Sequence, residues 1–125
     1  MVTSTTNSNI IWTANDPLGK TIQLKESTFN EHIINENNRT EFIGKENLLK
    51  QIIERPRFIL PDKTYKDSRY VYCDLQYMDT LNGVFFIDVV VDYSTYPNDL
   101  VTAISCRTIP RLETRRIIYD SKNKI

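Results

Sequence analysis

The stretch Val84–Val91, VFFIDVVV, constrains the fold more than any other part of the chain, because it is apolar at every position but Asp88. A strand that is wet on one side alternates polar and apolar residues; a strand that is apolar on both sides must be covered on both, which predicts a central strand. The run is far shorter than the roughly 20 apolar residues needed to cross a bilayer as a helix, and no other stretch comes closer. Its neighbours in sequence carry the same signal. Arg57–Leu60, Arg69–Met78, Leu100–Thr108 and Arg115–Tyr119 are rich in Val, Ile, Tyr and Phe and are separated by turn residues. Asp79–Gly83 reads as a hairpin loop and Ser94–Asp99 as a longer connection. Within Arg69–Met78, the row Tyr70, Tyr72, Asp74, Gln76 and Met78 alternates with Val71, Cys73, Leu75 and Tyr77, which predicts one buried and one wetter, aromatic-rich face.

Helical periodicity is confined to the N-terminal half. Ser27 or Thr28 is a suitable N-cap, with Glu31 placed as in a capping box, and the helix is expected to run to about Glu36 before Asn37-Asn38. A second helix fits Lys45–Glu54, with Leu48, Leu49, Ile52 and Ile53 on its apolar face and Pro56 ending it. Ile10–Thr13 and Thr21–Leu24 are short strand-like pieces flanking the turn Asp16-Pro17-Leu18-Gly19, where Pro17 presets φ and Gly19 tolerates positive φ. The expected fold class is α+β: two N-terminal helices packed on one face of a four- to five-stranded antiparallel sheet. At 125 residues the chain suits one domain, spanning 10–119, between a disordered tail (1–9) and a polar C-terminal tail (120–125).

Charge and motif content narrow the chemistry. The net charge is zero, which argues against strong nonspecific nucleic-acid binding. From Arg107 onward six Lys/Arg face two acids, so this end carries +4 and the rest −4. A basic end of this kind reads either as a local phosphate-binding face or as a solvated edge strand protected against pairing. The N-terminus has no charged region followed by an apolar one, so a signal peptide is not expected. Cys73 and Cys106 lack CxxC spacing and are expected to be packed, reduced thiols. GxxxxGK[ST], GxGxxG, HExxH and GxSxG are all missing, and three glycines cannot make a phosphate-cradling loop. No metal or cofactor is expected.

What remains is acid/base work by His32, the only histidine, whose imidazole ordinarily titrates near neutrality. It sits at the border of the first helix's buried face, where it can reach the rim of a cleft or pack its ring against the core. RNA cleavage by internal transesterification suits this inventory, since RNA supplies its own nucleophile and the protein need supply only a base, an acid and cationic donors. Arg69, Tyr70, Tyr72, Thr102, Ser105 and Arg107 fall on strands expected to be neighbours, and their side chains could face the groove beside the first helix. Aromatics there could stack an unpaired base, or serve as ordinary cross-strand packing.

The succession W-T-x-x-D-P-L-G (Trp12–Gly19), a helix containing His32-Ile33, Pro56, R-Y-x-Y (Arg69, Tyr70, Tyr72), V-V-V-D (Val89–Asp92) and V-T-A (Val101–Ala103) resembles the phage-associated branch of the barnase–EndoU–colicin–RelE (BECR) superfamily of metal-independent ribonucleases. The resemblance covers about residues 10–108, with the block from Asp16 to Ile33 its most distinctive part. It implies a groove between the first helix and the sheet, with His32 as acid/base residue, Arg69 as phosphate ligand and Thr102 as a polar groove residue. Tyr70, Tyr72 and Arg107 stand as substrate-binding candidates. It further implies a toxin or effector acting on RNA, tRNA included, at a cytoplasmic site, delivered in some cases within a larger secreted or phage-encoded protein and paired with an inhibitor or immunity protein. The alternative from another class is a non-catalytic binding protein, such as an immunity protein, antitoxin or phage accessory module. A nucleic-acid-binding module without chemistry is a third reading.

Overall fold

The N-terminal turn is built around one carboxylate. In the computed structural model, which describes residues 9–65, 67–107 and 117–121, strands β1 (Ile10–Asn15) and β2 (Thr21–Lys25) pair antiparallel about the Asp16–Gly19 turn. Asp16 Oδ1 accepts the backbone N–H groups of Leu18 (2.9 Å) and Lys20 (2.7 Å), and Gly19 adopts φ 84°. A left-handed residue costs glycine nothing, so the turn closes without strain. The hairpin points Trp12, Ala14, Ile22 and Leu24 inward, and all four are buried. The Trp12 indole N–H reaches across to the Glu46 carbonyl (2.8 Å).

The first helix, Thr28–Glu36, is wound more widely than an α-helix: the Asn37 N–H donates to the His32 carbonyl five residues back (2.9 Å). Phe29 and Ile33 are its buried residues, as the sequence suggests, but Ser27 makes no side-chain capping hydrogen bond. A single 3₁₀ turn, Thr40–Phe42, drives Phe42 into the core. Helix α1 (Glu46–Glu54) follows and buries Leu49, Ile52 and Ile53. Then come β3 (Phe58–Pro61), β4 (Arg69–Met78), β5 (Gly83–Asp92), β6 (Asn98–Cys106) and β7 (Tyr119–Asp120). Asn82, at φ 54°, closes the tight β4–β5 connection.

These strands form one seven-stranded mixed sheet in the order β1-β2-β6-β5-β4-β3-β7. The expected four- to five-stranded antiparallel sheet carrying two N-terminal helices is therefore wrong. The N-terminal hairpin is not a separate flap but two strands of the sheet. It joins through a parallel contact of β2 with β6, Ile22 opposite Asn98 and Gln23 opposite Asp99, reinforced by a Gln23 Nε2 to Asp99 Oδ1 hydrogen bond (2.8 Å). The physical reason is burial: Ile22 and Leu24 are fully buried, and only sheet continuity gives β2 both ladder partners and cover. Helix content among the described residues is correspondingly small, two segments of nine residues each besides two 3₁₀ turns.

The main core lies on the helical side of the sheet, where Phe29, Ile33, Leu49, Ile52 and Ile53 meet Ile59, Tyr72, Ile87, Val89 and Val91. A smaller cluster of Phe58, Leu60 and Cys73 with Phe86 occupies the opposite face. β5 is thus apolar on both sides for the reason read from its sequence. Both cysteines are free thiols, and burial, reinforced by Asp88, pushes the Cys73 thiol far above its ordinary pKa, which makes it inert. Strand pairing reaches Asp120, one residue into the expected tail. Of the expected N-terminal tail (1–9) only Asn9 falls within the described residues, and most of the run from Arg107 to Arg116 also lies outside them. No helix among the described residues is long and apolar enough to cross a membrane.

Candidate functional site

Because β2 pairs with β6 over only two residues, the chain leaves the sheet after Lys25, and the first helix takes the place alongside β6 that a longer strand would fill. An open cleft of about 370 Å³ results between this helix and the strand ends. His32 and Glu36 line it from the helix, Lys25 from the end of β2, Arg69 from the start of β4, and Asp99 and Thr102 from β6. Three of the residues singled out in the sequence, His32, Arg69 and Thr102, thus meet in one cavity.

Local backbone features explain the placement. The β5–β6 ladder skips a residue, with Val90 opposite Thr102 but Val91 opposite Leu100, so Val101 is the extra residue of a bulge. A bulge bends its strand and re-aims the adjoining side chains. Both Val101 and Thr102 consequently face the cleft, and the Thr102 hydroxyl accepts a hydrogen bond from Asn37 Nδ2 (3.3 Å). Arg69 is held on two sides: its Nε donates to Asp92 Oδ2 (3.3 Å) and its guanidinium lies 4.5 Å from the centre of the Tyr65 ring. The Ser94 hydroxyl and N–H, followed by Arg69, hold the Asp92 carboxyl below the usual carboxylate range, so Arg69 keeps its anionic partner well into acid. Lys25 Nζ lies 3.6 Å from Asp99 Oδ2.

His32 is more than half exposed, and its Nδ1 lies 2.6 Å from Glu36 Oε1. A carboxylate only accepts, so in the neutral imidazole this contact puts the proton on Nδ1 and leaves the Nε2 lone pair free. That is the tautomer a general base needs. The sequence places Glu36 only at the end of the first helix; its spacing of four from His32 is the signal that identifies it. With one histidine in the chain, nitrogen-15 spectra of the neutral imidazole report a single tautomer equilibrium. The Nδ1–H form should dominate in the wild type and give way to Nε2–H in Glu36→Ala, which removes the acceptor; an unchanged ratio would remove Glu36 from the site.

The other nominated residues lie elsewhere. Tyr72 is fully buried rather than substrate-facing, its hydroxyl donating to Asp16 Oδ2 and touching the Tyr93 hydroxyl. Tyr93 also donates to Asp16 Oδ2, at 3.2 Å. Burial first, and then the neighbouring carboxylate, raise both phenol pKa values, so the hydroxyls stay protonated donors. Tyr70 stacks obliquely on Tyr93, with ring centroids 4.6 Å apart, and does not line the cleft. Arg107 lies over the Phe85 ring (4.9 Å), also outside it, and the Ser105 hydroxyl donates to Glu41 (2.8 Å). Among the described residues no group of three or more His, Cys, Asp or Glu side chains is placed to hold a metal ion.

No family model, curated protein or solved structure matches this chain. The cleft is therefore interpreted from its own chemistry.

Proposed function

We propose that this cleft cleaves RNA by metal-independent transesterification, as a toxin or effector would. In this reading the His32 Nε2 lone pair takes the 2′-hydroxyl proton as the 2′-oxygen attacks the adjacent phosphorus. The P–O5′ bond breaks, leaving a 2′,3′-cyclic phosphate on one fragment. The departing 5′-oxygen is protonated by solvent, which the open cleft admits. Arg69 and Lys25 are placed to offset the charge that builds on the non-bridging oxygens, where a guanidinium fork is the stronger partner. The observation that carries the reading is the convergence of a carboxylate-oriented imidazole, a fixed arginine and a threonine hydroxyl in a single open cleft.

The test is incubation of purified protein with single-stranded RNA and tRNA in excess chelator from pH 5 to 8. Fragments ending in 2′,3′-cyclic phosphate are expected, with the corresponding DNA untouched because it lacks the nucleophile. RNA left intact across that range would sink the reading. The non-catalytic alternative rests on a different observation: Tyr77 and Val84, paired across β4 and β5, are 61% and 58% exposed. This small apolar patch carries no mark of a particular partner, and it weighs less than the cleft.

A further inference from the structure

A second cavity, of about 500 Å³, opens where the C-terminal end of α1 meets β3, β4 and β7, and is lined by Glu54, Arg55, Arg57, Asp74, Tyr119 and Ser121. Its charges are unevenly satisfied. Glu54 pairs with Lys50 (3.9 Å) and Asp74 accepts from Gln76 Nε2 (2.6 Å), so each acid has its own donor. Among the described residues the two arginine side chains have no acceptor. Among the described residues Arg57 Nε is buried without a hydrogen-bond partner and Arg55 forms no ion pair. A buried guanidinium N–H costs free energy unless an acceptor meets it, and an orphan of this kind in a native site signals a ligand, ion or water. Arg39 Nε is also orphaned, but it lines neither cavity.

We propose that this cavity is a phosphate-binding site, separate from the His32 cleft, in which Arg55 and Arg57 grip the phosphate group of a small phosphate ester. Two guanidinia one residue apart, on either side of Pro56, are held by a rigid link, since proline fixes its own φ. Arg57 is anchored further through its backbone, its N–H donating to the Cys73 carbonyl (2.9 Å) and its carbonyl accepting from Ser121 (3.0 Å). Planar forks on fixed backbone lose little entropy on meeting an oxyanion, and phosphate is the ligand their geometry matches. The cavity has the volume of a small-molecule site, and Tyr119 and Ser121 add a ring and a hydroxyl to its wall.

The experiment is titration of the full chain with inorganic phosphate and with adenosine 5′-monophosphate, followed by amide chemical shifts, against chloride at matched ionic strength. Saturable shifts are expected at residues 54–57, 74 and 119–121, with dissociation constants of roughly millimolar. Arg55→Gln and Arg57→Gln should each weaken binding about tenfold or more. Arg55 is exposed, so its variant keeps the test intact if Arg57→Gln fails to fold. Tighter binding of the nucleotide than of phosphate supports the site and extends it to the nucleoside; equal binding supports a site for the phosphate group alone. Absent saturation, shifts centred on Arg69, or affinity unchanged in Arg55→Gln would overturn it.

Discussion

His32→Ala should lower RNA cleavage by roughly 10²–10⁴-fold, the range by which a positioned general acid or base accelerates proton transfer. The chain offers no second imidazole to take over. The variant should fold normally, because the side chain is more than half exposed and its one polar partner among the described residues, Glu36, makes a surface pair of little energetic weight. Equal thermal stability combined with lost cleavage is therefore the informative outcome. In a bacterial host the same comparison reads out as growth: induced wild type should arrest it and His32→Ala should not. Cleavage that survives the substitution undiminished would show that the chemistry lies elsewhere, whatever the cleft binds. Arg69→Gln should fall between wild type and His32→Ala, since it leaves the base in place and removes only charge stabilisation.

Asp16→Ala should unfold the protein more readily than any other single polar substitution among the described residues, by about 3 kcal/mol, or roughly 10 °C in melting temperature. The buried Asp16 carboxylate accepts from two backbone N–H groups and two tyrosine hydroxyls, and alanine would leave all four donors short of an acceptor. Tyr72→Phe and Tyr93→Phe should cost less, about 1 kcal/mol each, because each removes a donor and leaves the carboxylate its other partners. Chemical denaturation of the three variants measures this ordering. A melting temperature for Asp16→Ala within a couple of degrees of wild type would mean that the carboxylate does not hold the turn to the sheet.

Asp16 also illustrates how far the sequence could be read. The turn itself was legible, because Asp, Pro and Gly at these positions each have a local reason to be there. That its second carboxylate oxygen reaches Tyr72, 56 residues on, was not, since nothing in a single chain marks which tyrosine lies beneath a turn. Tyr72 was nominated for substrate because its row alternates with an apolar one, and alternation identifies faces without saying which face is covered. The row containing Tyr72 proved to be the one covered by the helices. Strand β5 was readable from composition for the opposite reason: burial on both faces leaves a run with no polar period. Sheet order was lost at a single contact, Ile22 and Gln23 against Asn98 and Asp99, too short to leave a pattern. The cleft was legible in its residues, His32, Arg69 and Thr102, but not in the bulge at Val101 that turns Thr102 into it.

The parallel contact between β2 and β6 joins residues 76 positions apart. Closing so long a loop is entropically slow, so the N-terminal hairpin can form early yet cannot dock until β6 exists. The cleft draws one wall from Lys25 to Asn37 and the other from Arg69 to Thr102, and its halves meet only at that docking step. During synthesis, then, the growing chain displays His32 with no opposing arginine until β6 has followed. Under the proposed activity, a complete cleft on a chain still emerging from the ribosome would attack its own production. The order of assembly therefore keeps the two walls of the cleft apart until β6 has been made.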